Sequence, residues 1–211
     1  NAHDRGGVGS GGRRLTAVKT LDRSGWSQTI ETDSLILAIG HSARDTFRML
    51  YDEGFPMEQK PFSIGVRIEH PQKMIDKAQY GDPAIAEKLG AADYKLNHRC
   101  ENGRGVYTFC MCPGGHVIDS SSEPETAVTN GMSNSSRSAE FANSGLLVDV
   151  RREDFPSGHP LAGIEFQRRY ERLAYENGRG RIPVTDYGSF RKDTEDPVRK
   201  SLPPFAADAI I

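Results

Sequence analysis

A chain of 211 residues with 36% hydrophobic side chains has enough apolar material for a sizeable folded core. Its 27 Lys and Arg against 29 Asp and Glu leave a net charge of −2, without the basic excess that sequence-independent nucleic-acid binding requires. No stretch approaches the ~20 consecutive apolar residues of a membrane span, the start shows no signal-peptide pattern, and three cysteines make no disulfide framework, so a cytoplasmic protein is expected.

The opening NAHDRGGVGSGG is Gly-rich without periodicity and reads as tag or linker. Strands with a turn near Ser24-Gly25 follow, ending in the unbroken apolar run LILAI at 35–39, the pattern of a central parallel strand buried on both faces. Gly40 permits a sharp turn, and Ser42 with Asp45 makes a capping box for a helix carrying Phe47, Met49 and Leu50 and stopped by Gly54. These three pieces form one α/β unit. From Lys60 the pattern changes: Phe62, Ile64, Val66 and Ile68 alternate with Ser63, Gly65, Arg67 and Glu69, which predicts a strand with one wet face opening a second domain.

Two short helices are predicted next, one between Pro71 and Gly81, the other capped by Asp82, begun by Pro83 and stopped by Gly90. Further strands are expected at 106–112, 117–121, 126–130 and 146–151, with the Ser/Asn-rich stretch 130–145 as an irregular loop between the last two. From Pro160 a helix carries Ile164, Phe166, Tyr170, Leu173 and Ala174 on one stripe and ends at Gly178. The remainder is Pro-rich and reads as truncated.

Chemistry concentrates in two places. VYTFCMCPGGHV sets Cys110 and Cys112 one residue apart before a Pro-Gly-Gly turn. With His98, Cys100 and His116 they supply enough ligands for zinc, although structural zinc sites space their cysteines more widely. A redox pair needs an exposed, acidified thiol, whereas Tyr107, Phe109 and Met111 suggest a strand covered on both faces in which the cysteines simply pack. The second place is His41, just after Gly40 at the carboxyl end of the predicted parallel strand, the edge where open α/β sheets bind ligands.

The blocks LILAIGHSARDTFRMLYDEGFPMEQKPFSIGVRIEHPQKMIDKAQYG, AADYKL, GVYTFCMCPGGHV, SSEPETAVTNGMS, ANSGLLVDV and PLAGIEFQRRYERLAY together resemble a largely uncharacterised family of FAD-dependent dehydrogenases or oxidoreductases of the two-dinucleotide-binding type. The resemblance implies an α/β plus α+β chain: the end part of a Rossmann-like FAD-binding domain over 1–58, joined to a mixed α+β inserted cap or substrate domain over 59–211. It implies FAD as cofactor of a longer protein, with NAD(P)H as a candidate reductant, and Gly40, His41 and Ser42 as the positions that approach FAD. The chain departs from the family pattern in having no G-x-G-x-x-G, so an internal fragment, truncated at its C-terminus, is expected.

Candidates for catalysis are Cys110, Cys112 and His41, and candidates for orienting a small-molecule substrate are Arg67, Glu69, His70, Gln79 and Tyr80. No metal ligand, nucleic-acid partner or membrane partner is assigned. Two rival readings are a macromolecule- or subunit-binding module without catalysis and a structural zinc domain.

Overall fold

The computed structural model describes residues 14–210. It divides into two compact units, Asn1–Ala43 and Arg44–Ile211.

In the first unit β1 (Ala17–Leu21) and β2 (Ser27–Glu31) form an antiparallel hairpin, with Ala17 opposite Glu31 and Leu21 opposite Ser27. Asp22 organises its turn by accepting from Ser24 N at 2.8 Å, Ser24 Oγ at 2.6 Å and Trp26 N at 3.0 Å. The run 35–39 differs from expectation. It forms no strand, and Leu35, Ile36 and Leu37 are 51%, 91% and 50% exposed. A strand buried on both faces needs paired neighbours at both edges; here β1 and β2 pair only with each other, and the described residues of this unit contain no further strand. The parallel Rossmann-like layer is therefore not formed by the described residues.

The second unit opens with α1 (Arg44–Asp52), stopped where Gly54 takes φ +77°. Then come β3 (Phe62–Pro71), α2 (Gln72–Tyr80), α3 (Pro83–Leu89), β4 (Asn97–Arg99), β5 (Gly105–Cys112), β6 (Gly115–Asp119), β7 (Thr129–Ser133) and β8 (Phe141–Val150). Four helices close the chain: α4 (Ala162–Asn177), α5 (Tyr187–Lys192), α6 (Pro197–Lys200) and α7 (Pro204–Ala209). The strands make an antiparallel sheet in the order β3-β8-β5-β4 and a separate β6-β7 hairpin. Asp82 caps α3 as predicted, accepting from Ala84 N at 2.9 Å.

Register sorts the sheet into two faces, since directly paired residues project to the same side. Phe62, Ile64 and Val66 pair with Val150, Val148 and Leu146 on the dry face. Against it pack Phe155, Ala162 and Phe166 at one end, and Phe190, Leu202, Ala206 and Ile210 at the other. Phe62 stacks on Phe155 at 5.5 Å and meets Phe166 edge-on at 5.8 Å. Each such buried ring contributes about 1.5–3 kcal/mol. The opposite face presents Ser63, Gly65, Arg67 and Glu69 of β3, Asp149, Leu147, Gly145 and Asn143 of β8, and Tyr107, Phe109 and Cys112 of β5.

Two further stretches depart from the sequence reading. Residues 130–145 are not a loop throughout: they hold most of β7 and the first half of β8, because sheet pairing outweighs their Ser/Asn composition. The Pro-rich end folds into α5 to α7, with Asp186 capping Ser189 N at 3.0 Å and Asp196 capping Val198 N at 2.9 Å. Its apolar residues complete the core. Among the described residues no helix is long and apolar enough to cross a membrane.

Candidate functional site

The open face of the sheet gathers polar groups where β5 breaks register. Pairing passes from Phe109 opposite Gly145 to Cys112 opposite Asn143, so Cys110 and Met111 together face Ser144 as a bulge. Cys110 takes φ +46°, a left-handed conformation that costs a non-glycine residue about 1–2 kcal/mol. The bulge brings the Cys110 carbonyl to Arg67, whose Nη1 donates to it at 3.2 Å and to Asn143 Oδ1 at 2.6 Å. Arg67 Nη2 donates to Asn130 Oδ1 of β7 at 3.4 Å. Asn143 is fully buried, and its Nδ2 has no partner.

Gly131 explains how β7 closes on this group. A Cβ there would overlap Asn143 Oδ1 and Arg67 Nη1 and lie 2.7 Å from Cys112 Sγ. Only a glycine lets the hairpin come this close. Beyond the bulge, Gly114 takes φ +47°, and its N–H donates to Gln72 Oε1 at 2.8 Å. Gln72 Nε2 in turn donates to Asp76 Oδ1 at 2.7 Å and Ala92 O at 3.0 Å, tying α2 to the Pro-Gly-Gly turn.

On the other face of β3, His70 Nε2 and Tyr94 Oη are 2.7 Å apart. Burial pulls the His70 imidazole below its ordinary value and pushes the Tyr94 phenol up; Ser144 and the Arg67 charge work against the latter. His70 Nδ1 is buried and unpartnered.

Of the residues named from sequence, Arg67, Cys110 and Cys112 come together, while His70 lies on the other face of β3 against Tyr94. Glu69 and Gln79 are exposed, and Tyr80 donates to Gly90 O at 3.4 Å within the α2–α3 hairpin. Gly40, His41 and Ser42 are exposed in the first unit, where Gly40 takes φ +69° with open space around the position of a Cβ. Cys110 is exposed and Cys112 half-buried, so the expected packing role fails for Cys110: Phe109, 56% exposed, shows that the strand is uncovered on this face. Among the described residues no three His, Cys, Asp or Glu side chains gather as a metal site, so the zinc ligand set written from spacing is not assembled.

Asn130, Asn143, Ser144 and Tyr94 were missed by sequence reasoning. The signal for two of them was present: Asn143-Ser144 interrupts an otherwise apolar strand, and polar residues buried in such a strand need a partner.

Residues 61–208 match the family model described as FAD-dependent protein, C-terminal domain-like. A protein of Clostridium beijerinckii described as "Uncharacterized protein" is 52% identical over 169 residues, which is 79% of this chain and 32% of that protein. The chain thus spans about a third of the length of the curated relative it matches. On this evidence of sequence, carried by the sheet and helices just described, the chain belongs to the family of FAD-dependent proteins with this C-terminal-domain-like region.

Proposed function

We propose that this chain serves a longer FAD-dependent oxidoreductase, in which the second unit supplies the substrate-facing sheet and the first unit supplies, at Gly40, His41 and Ser42, a turn that approaches FAD. The family match over residues 61–208 is the observation that carries this reading. Two structural features support it. Gly40 leaves the open, side-chain-free backbone that a close nucleotide approach needs. The run 35–39 exposes an apolar strand-like sequence of the kind a parallel sheet would cover.

Bound FAD would supply the hydride chemistry. The chain's own residues would supply placement: Arg67 offers a cation on the open face, and the bulge holds the carbonyl of the exposed Cys110 against it. NAD(P)H as reductant has no support in the family match and enters as one arm of the test. The longer protein and this chain are each incubated with FAD, desalted and scanned. A flavin band kept by the longer protein and absent from this chain is expected, with bleaching by NADH or NADPH then measured. A colourless longer protein overturns the flavin reading and favours a binding module.

A further inference from the structure

In the second unit Arg44, Arg104, Arg151, Arg152, Arg168 and Arg199 each face a carboxylate at 3.5 Å or closer. Arg67 is held differently. Its partners are the neutral amides of Asn143 and Asn130 and the Cys110 carbonyl, which fix the guanidinium without neutralising it, and it has no ion pair among the described residues. A guanidinium has five N–H donors. Nη1 donates to Asn143 and Cys110 and Nη2 to Asn130, while Nε, on the Nε–Nη2 edge, bonds none of these three. Arg67 is half-buried, and its Nε is not among the fully buried nitrogens without a partner, so the Nε–Nη2 edge keeps some contact with solvent. It is the edge that pairs with a carboxylate through two parallel hydrogen bonds.

A second observation lies in the same group: Asn143, with no exposed surface, keeps an unpartnered Nδ2. An Asp here would have neutralised Arg67, whereas the amide leaves the charge available. The row across the sheet runs Arg67, Gly145, Phe109, all on one face. Two strand spacings set the Cα atoms of Arg67 and the exposed Phe109 about 10 Å apart, with Gly145 between them. That row offers an apolar wall and a cation to a flat acid. The shallow depression beside Arg199 and Lys200 offers no such free charge, since these already pair with Asp208 and Glu195.

We propose that the Nε–Nη2 edge of Arg67 binds the carboxylate of a small organic acid, with Phe109 packing against its apolar part, and that such acids are the substrate class of this face. The inference rests on reading the open face as the substrate side, but its test does not depend on flavin. The full chain, labelled with 15N, is titrated with benzoate, benzyl alcohol and inorganic phosphate while the Arg67 Nε–H and Gly145 backbone N–H resonances are followed. Benzoate should give a saturable shift of both, and benzyl alcohol none. In Arg67→Met and in Asn143→Asp, which places a carboxylate against the guanidinium, the Gly145 shift should require about tenfold more benzoate or vanish. The Arg44 Nε–H signal, in a separate ion network, reports that each variant remains folded.

No saturable shift with benzoate overturns the proposal, as does a shift that survives in both variants. A stronger response to phosphate makes this a phosphate site and overturns the carboxylate assignment. Should benzoate bind through Arg67 while the longer protein retains no FAD, the flavin reading fails and the acid site stands.

Discussion

Arg44 keeps only 1% of its side chain exposed, yet its charge is well matched: it donates to Glu171 at 2.6 and 2.9 Å and to Glu123 at 2.9 Å. Arg168 grips the same Glu123 at 2.7 and 2.8 Å but is 42% exposed. Removing one partner of a buried pair leaves the others uncompensated, whereas an exposed pair is largely replaced by water. Arg44→Met should therefore cost about 3 kcal/mol in urea denaturation and Arg168→Met under about 1 kcal/mol; equal losses would refute the distinction. Hydrogen bonds from Arg168 and Arg44 hold the Glu123 carboxyl down at about 2, against an ordinary 4.5. A depressed carboxylate stabilises the fold above its unfolded value, and that contribution is lost as pH falls from about 4.5 through 2. Glu123→Gln should flatten this part of the stability curve. His70 acts at higher pH: burial depresses it from 6.5, the unfolded chain takes the proton first, and stability drops as pH falls below about 6.5. Equilibrium unfolding between pH 7.5 and 5 should lose this slope in His70→Asn.

The elements meet at the glycines between β5 and β7. At Gly114 a Cβ would overlap the Arg137 carbonyl, and φ is +47°, so Gly114→Ala combines overlap with a strained conformation. Gly131→Ala would push the β6-β7 hairpin away from Arg67 and Asn143. Both variants should lose about 2–4 kcal/mol in thermal or urea unfolding, and Gly25→Ala, at an open turn of the first unit, should lose less. The sequence indicated these elements unevenly. The alternation from Phe62 to Glu69, the Pro-to-Gly punctuation of α2 and α3 and the stripe of α4 were legible because each is a local pattern. The first half of β8 was not, since its Ser/Asn composition reads as loop until β3 and β5 pair with it.

At the scale of the molecule, the two units differ in how well they cover apolar surface. The second closes a core around Val148, Val150 and Phe166, while the first leaves Trp26, Ile30 and residues 35–37 open. Chymotrypsin should therefore cut this chain after Leu35 or Leu37 before any bond within residues 61–208, as read by mass spectrometry. In the longer protein, strand pairing of the same run should protect it, and equal cleavage in both would contradict the proposed parallel sheet. By itself the sequence determined the family resemblance, the punctuated helices and the half-exposed strand, and it named Arg67, Cys110 and Cys112, because these rest on residues close together in the chain. Only the tertiary structure decided that Arg67 meets neutral Asn143 and Asn130 rather than a carboxylate, since its partners lie 43 to 76 positions away. That separation is bridged by strand register, which cross-strand pairing sets and local composition does not encode.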